Sequence, residues 1–83
     1  MLTAEIVMLP DSTLSGEVEL YFNREGFDYL MGRLDHIRDG KTDHLHLMSR
    51  SWGLGDLDEK SHKPTNQIAH HLRLTLIAEP ELS

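Results

Sequence analysis

The sequence predicts an α+β domain: a four-stranded, mainly antiparallel sheet with one amphipathic helix on one face, in the order β-β-α-β-β. Three observations predict it. Two β-favouring runs precede a helical apolar stripe, two alternating runs follow it, and a chain of 83 residues has room for one core. A single helix covers only one face of such a sheet, so the other face should meet water or a partner. We therefore expect a single domain over residues 1–83, with the strand order left open.

The chain begins with a predicted hairpin. The run from Thr3 to Leu9 favours β structure, Pro10 ends it, and the segment PDSTLSG, rich in turn-forming residues, predicts a loop. The next run, GEVELYFN, alternates apolar and polar residues and places Val18, Leu20 and Phe22 on one face. This alternation predicts a half-buried second strand.

One helix, about Arg24 to Asp39, follows the hairpin. Asn23 is a suitable N-cap, and Gly40 suits the left-handed position just beyond the last turn. Apolar residues recur at helical spacing and should pack on the sheet: Phe27, Leu30, Met31, Leu34 and Ile37. Four carboxylates lie roughly opposite this stripe and define an acidic surface: Glu25, Asp28, Asp35 and Asp39. That surface is either ordinary solvated charge or a second site that a basic partner approaches closely at Gly32.

Two further strands are predicted, roughly Asp43 to Met48 and Ala69 to Ala78. If they are neighbours, their leucines face the helix, and their other face carries His44, His46, Met48, His71 and Arg73. The loop between them, about Arg50 to Gln67, is longer than compact domains usually tolerate without structure or function. It holds Trp52, which either pins the loop or serves as an exposed anchor at the rim of that face.

Composition restricts the classes of function. Fourteen acidic residues against eight basic ones give a net charge of −6, which argues against a nucleic-acid partner. No apolar run is long enough to span a membrane, and the first residues, MLTAEIVMLPD, do not read as a signal peptide. The absence of cysteine excludes disulfides and thiolate metal sites. A cytoplasmic location without membrane contact is the expectation.

The sharpest chemical alternative is a metal site. His44, His46 and His71 would share one strand face, and three imidazoles with a water suit zinc. A solvated sheet face explains the same alternation, and the sequence has no strict metal-ligand spacing. There is also no nucleophile elbow and no glycine-rich phosphate loop. The leading interpretation therefore includes no catalysis, no metal and no other cofactor.

The C-terminal half resembles a known family. The segment HLHLMSRSWGLGDL, followed by HHLRLTL, resembles the immunity protein 32 family of bacterial polymorphic-toxin systems over roughly Asp43 to Leu76. Three features match, in chain order: the strand with His44, His46 and Met48, the Ser51-Trp52-Gly53 segment with Leu57 after it, and the strand with His71, Leu72 and Arg73. The resemblance implies a small cytosolic protein that binds and neutralises a toxin.

The sequence therefore predicts a binding protein, an immunity protein that neutralises a bacterial toxin by occlusion. Its partner would be a protein, such as a basic toxin domain that the acidic chain attracts electrostatically. The predicted partner-binding residues are His44, His46, Met48, Trp52, His71 and Arg73, with the acidic surface as a second candidate. Two alternatives stay open: a metal-dependent enzyme or metal-binding protein using the three histidines, and a homodimer formed through edge strands or open sheet faces.

Overall fold

The computed structural model describes residues 1–77, with one helix and five strands in that range. In chain order they are β1 (Leu2–Met8), β2 (Leu14–Phe22), α1 (Arg24–Arg38), β3 (His44–Met48), β4 (Gln67–Ile68) and β5 (His71–Thr75). The predicted α+β class is confirmed. The predicted single four-stranded sheet is wrong, because the strands form a three-stranded sheet, β2-β1-β4, and a two-stranded sheet, β3-β5.

The two sheets arise because one stretch of chain pairs with two different strands in turn. The short strand β4 pairs antiparallel with β1 at Glu5 and Ile6, and the Ala69 N–H donates to the Ala4 carbonyl at 2.8 Å. The chain then leaves β1 and runs antiparallel to β3 as β5. The predicted last strand, Ala69 to Ala78, therefore begins too early, and its predicted end at Ala78 lies outside the described residues.

The predicted hairpin is present, with β1 and β2 antiparallel from Leu2 opposite Phe22 to Ile6 opposite Val18. Its apolar face is covered only in part. Leu2 and Ala4 are buried, whereas Val18 is 59% exposed on the outer strand. The helix and the other sheet pack on the β1 residues of this face and leave β2 mostly exposed. The alternation in β2 therefore separates an apolar from a polar face, but the apolar face is not buried as predicted.

The helix is capped as expected. The Asn23 side-chain oxygen accepts a hydrogen bond from the Gly26 N–H at 2.9 Å, which satisfies one free donor of the first turn. At the other end, Gly40 has φ +77° and its N–H donates to the Ile37 carbonyl at 3.1 Å. Gly26 is required for packing, because an added Cβ would lie 1.8 Å from the Met1 carbonyl oxygen. The described helix, with 15 residues, is too short and too polar to cross a membrane.

The core lies where the helix meets both sheets. Its fully buried apolar residues are Leu2, Ala4, Leu45, Leu47 and Leu57, and the residues packed against them are Leu30, Leu34, Ile37, Ala69, Leu72 and Leu74. The helix stripe therefore meets the leucines as expected. Met31, predicted to belong to that stripe, is 42% exposed. Leu57 from the long loop completes the core instead.

A buried carboxylate attaches the long loop to the polar face of β1. Glu5 is fully buried and accepts hydrogen bonds from the Thr3 hydroxyl at 2.6 Å, the His62 N–H at 2.7 Å, the Asn66 amide at 3.0 Å and the Lys63 N–H at 3.3 Å. Burial raises the pKa of Glu5, but these hydrogen bonds together outweigh it and lower the pKa from 4.5 to about 2. Glu5 therefore remains ionised and fixes the loop.

Candidate functional site

The paired strands β3 and β5 present one polar surface, which we call the imidazole face. It consists of His44, His46, Met48, His71 and Arg73. The antiparallel register sets His46 opposite Arg73 and Met48 opposite His71, while Leu45 and Leu47 point to the core. The structure thus brings together all five residues expected on this face. His71 and Arg73 are exposed and the other three are half-buried.

Direct contacts organise the imidazole rings. His46 Nδ1 lies 2.8 Å from His71 Nε2, so one ring nitrogen donates a hydrogen bond to the other. His44 meets His46 edge to face with ring centroids 5.2 Å apart, and its Nδ1 lies 2.7 Å from the Asp43 carboxylate. Partial burial, and then the nearby positive charge of His71, His44 and the arginines, lower the pKa of His46 below its usual value. A neutral His46 is therefore favoured near pH 7.

The rings are arranged for hydrogen bonding with one another. Two nitrogens on one tetrahedral zinc ion lie about 3.3 Å apart, given Zn–N bonds of about 2.0–2.1 Å. The 2.8 Å contact between His46 and His71 is shorter than that and matches a hydrogen bond. Within residues 1–77, no group of three or more histidine and carboxylate side chains is placed to hold a metal ion. The geometry gives the zinc alternative no support.

The outer side of β3 is held by an ion pair that the sequence analysis missed. Arg33 Nη1 lies 2.8 Å from Asp56, whose side chain is only 5% exposed. Asp56 also accepts from the Met48 N–H at 3.0 Å and from the Tyr29 hydroxyl, while Arg33 Nη2 donates to the His46 carbonyl at 3.3 Å. Burial raises the pKa of Asp56, but these hydrogen bonds and the positive charge of Arg33 outweigh it and lower the pKa. No sequence spacing connects Asp56 with β3.

A groove of about 460 Å³ opens beside the imidazole face, between β3, the second half of the helix and the long loop. Its lining includes Arg33, His36, His44, His46, Met48 and Leu54. The loop approaches Met48 closely because residue 53 is glycine: an added Cβ would lie 2.7 Å from the Met48 sulfur. Leu54, next along the loop, is 95% exposed at the rim.

Trp52 lies at the end of the β3-β5 ladder. Its ring is 63% exposed and stacks on His70, with centroids 5.5 Å apart and planes 4° apart. His70 in turn contacts Ser49, which follows β3 and is buried. The stacking partner of Trp52 is therefore not a member of the imidazole face. The stacked side of the ring holds the loop, as one of the two expectations has it, while its role as an anchor for a partner stays a prediction.

Ser49, His70 and Glu59 resemble a catalytic triad in composition but not in geometry. The Ser49 hydroxyl lies 2.8 Å from His70 Nδ1, and a Glu59 oxygen lies 3.5 Å from the same nitrogen. A triad needs serine and carboxylate on opposite ring nitrogens, with the serine open to substrate. Ser49 is fully buried. The three residues instead connect the long loop to the end of β3.

The acidic surface of the helix is divided. Arg38 contacts Asp35 at 2.9 Å and Asp39 at 3.8 Å, so its guanidinium partly neutralises the C-terminal half. Glu25 and Asp28, in the N-terminal half, are exposed. Gly32 has open space around its Cα, with no atom within 4 Å of an added Cβ. The surface is therefore open to a close approach at Gly32, but only its first half is strongly acidic.

Comparisons with protein-family models, curated proteins and solved structures found no match for this chain.

Proposed function

We propose that this chain is a cytoplasmic immunity protein that binds a bacterial toxin domain and neutralises it by occlusion through the imidazole face. The observation that carries the proposal is the grouping of histidine, methionine and arginine side chains on one accessible surface, with the exposed Trp52 stacked on His70 at the end of the same pair of strands. The resemblance of Asp43 to Leu76 to the immunity protein 32 family supplies the class of partner.

The composition of this surface supports protein binding. The centres of protein interfaces are enriched in aromatic residues, methionine and arginine, and depleted in lysine and carboxylates. The imidazole face has no lysine and no carboxylate among its members, although the chain as a whole carries a charge of −6. The adjoining groove of about 460 Å³ gives a partner side chain a concave place to insert.

Rigidity also supports the proposal. The Arg33–Asp56 ion pair fixes the outer side of β3, and the contact between Gly53 and Met48 fixes the start of the loop. A surface held in one conformation loses less entropy on binding, so more of its contact energy appears as affinity. The acidic residues Glu25 and Asp28 lie on a different element and would steer a basic toxin domain toward the protein.

The test is protection of cells and direct binding. The product of the gene next to the one encoding this chain is the first candidate toxin. Cell survival is compared when that gene is expressed alone and together with the chain, and the affinity of the two proteins is measured. Arg73→Ala and Trp52→Ala should each weaken the measured affinity about 30-fold or more, equivalent to about 2 kcal/mol at a hot spot. Both residues are exposed, so both variants should remain folded, which circular dichroism checks.

Arg24→Ala is the matched control, because this exposed arginine lies in the first turn of the helix, away from the groove. It should leave protection and affinity unchanged. Wild-type affinity in both Arg73→Ala and Trp52→Ala would remove the imidazole face as the binding surface. Loss of binding only in Glu25→Lys with Asp28→Lys would assign it to the acidic surface. Loss of binding after treatment with a metal chelator would favour the metal-binding alternative.

A further inference from the structure

The outer strand β2 exposes apolar side chains along one face. Val18 is 59% exposed, Leu20 is 39% exposed and Phe22 is 45% exposed. Their cross-strand neighbours on β1 are Ile6, Ala4 and Leu2. We call the free side of β2 along these three residues the β2 edge. Within residues 1–77, β2 pairs with β1 alone, so its other side has no strand beside it.

The backbone groups of the same three residues point away from β1. Leu2 uses its N–H and C=O to bond Asp58, at 3.0 and 2.8 Å, and the Ala4 carbonyl accepts from Ala69 at 2.8 Å. These residues of β1 therefore direct their backbone groups away from β2. In an antiparallel pair, two opposed residues either bond to each other through their backbone groups or both direct those groups away from the partner strand. The residues of β2 opposite Leu2 and Ala4 therefore direct their backbone groups outward. These residues are Phe22 and Leu20, and Val18 follows by alternation.

An edge that offers unpaired backbone groups together with apolar side chains is a template for another strand. We propose that the β2 edge pairs antiparallel with the β2 edge of a second copy of this chain, about a two-fold axis at Leu20. The inference does not rest on the proposed toxin partner, since the imidazole face belongs to the other sheet.

The sequence of β2 is self-complementary in this register. Leu20 lies opposite Leu20 of the second copy, and Val18 lies opposite its Phe22, so all apolar side chains meet on one face. On the other face Glu19 lies opposite a tyrosine, Tyr21, whose hydroxyl already donates to Glu19 within one chain at 2.9 Å. The same residues of the β2 edge contribute from both copies, as a two-fold interface requires.

Other registers are disfavoured by charge or by loss of partners. An axis at Glu19 sets this carboxylate against its own copy, and an axis at Val18 sets Glu17 against Glu19. An axis at Tyr21 leaves Val18 opposite Arg24, which is already in the helix. The axis at Leu20 is therefore the register that matches apolar with apolar residues and avoids opposed carboxylates. Each chain carries −6, so added salt should favour the pairing by screening.

Sedimentation equilibrium of the intact chain tests the proposal, over about 10 µM to about 1 mM, where a small interface would associate. The wild type should approach twice the chain mass of 9.5 kDa, at lower concentration as salt rises. Leu20→Lys, which places two ammonium groups at the axis, should stay monomeric. Leu54→Lys is the matched control, because this leucine is 95% exposed on the long loop, and it should dimerise like the wild type.

Amide hydrogen exchange supplies a second readout that unfolding cannot imitate. Dimerisation should slow exchange at Leu20 and Phe22 as protein concentration rises, while Glu19 and Tyr21, bonded to β1 within one chain, should not change. Leu20→Lys should abolish this concentration dependence and keep the protection of Glu19 and Tyr21, which shows that it is folded. A wild type that stays monomeric throughout, or a Leu20→Lys variant that dimerises as strongly, overturns the proposal.

Discussion

The outer strands β2 and β3 differ in what bonds to the backbone groups along their free edges. Along β3, three side chains bond to outward backbone groups: the Thr42 hydroxyl, the Arg33 guanidinium and the Asp56 carboxylate. Along β2, no strand pairs with the outward side within residues 1–77, and exposed apolar side chains project from one face of the sheet. A covered edge disfavours pairing with another strand. An uncovered edge favours pairing with an equivalent strand.

The largest effect is expected when the cover of β3 is removed. Asp56→Ala leaves the Met48 N–H and the Arg33 guanidinium without their shared partner. Because Asp56 is nearly buried, the free energy of unfolding should fall by about 3 kcal/mol. Urea unfolding measures the change.

Asp28→Ala is the control for this variant, since Asp28 is exposed on the helix. It should change the free energy of unfolding by less than about 0.5 kcal/mol. If Asp56→Ala were as stable as this control, the Asp56 carboxylate would not be what holds the outward side of β3.

A second comparison concerns the stability of the two sheets in acid, because the stability of the sheet that contains β2 depends on ionised Glu5. The pKa of Glu5 is lowered in the folded chain, so its contribution is fully present above pH 4.5 and is lost as the pH falls toward about 2. The free energy lost over this range should be about 2–3 kcal/mol. Urea unfolding at a series of pH values measures it.

Glu5→Gln should be less stable than the wild type at neutral pH and should flatten this acid dependence, because the variant has no carboxylate to protonate. Glu17→Gln, at an exposed position of β2, serves as the control and should retain the slope of the wild type. A slope unchanged in Glu5→Gln would contradict the assignment of the acid transition to this carboxylate.

The smallest expected effect is on the other sheet. The pKa of His46 is lowered in the folded chain, so its contribution to stability is present above the usual histidine pKa and decreases as the pH falls through that region. As the pH falls, the β3-β5 sheet should therefore begin to lose stability at a higher pH than the sheet held by Glu5. In His71→Phe, which removes one positive neighbour, the pKa of His46 should rise toward its usual value.

Proton NMR titration of the His46 ring measures this rise. His62→Phe is the control, because His62 stacks on Tyr21 beside the other sheet, and it should leave His46 unchanged. A His46 pKa that does not move in His71→Phe would show that the contact between the two rings has no electrostatic influence.

Sequence periodicity predicted the local elements well. The helix, expected over Arg24 to Asp39, spans Arg24–Arg38, and the strand expected over Asp43 to Met48 spans His44–Met48. Strong amphipathic patterns and capping residues determine such elements locally. The five residues expected on the imidazole face share it for the same reason, since alternation is a property of each strand and needs only correct pairing.

What the sequence could not predict depends on long-range contacts. Alternation in β2 marked Val18, Leu20 and Phe22 as one face, but the coverage of that face depends on where the helix and loop pack. The division between β4 and β5 depends on which strand is nearest at each point along the chain. One available signal was missed: a lone carboxylate, Glu5, within a β-favouring run indicates a buried charge with dedicated donors.

The position of Glu5 also has a consequence for biosynthesis. During synthesis Glu5 precedes three of its hydrogen-bond donors, which belong to residues 62, 63 and 66, by close to 60 positions. Until those residues emerge from the ribosomal exit tunnel, β1 holds an ionised carboxylate without these donors and lacks β4, one of its two neighbouring strands. The sheet around β1 should therefore be completed only after residues 62 to 68 have left the tunnel.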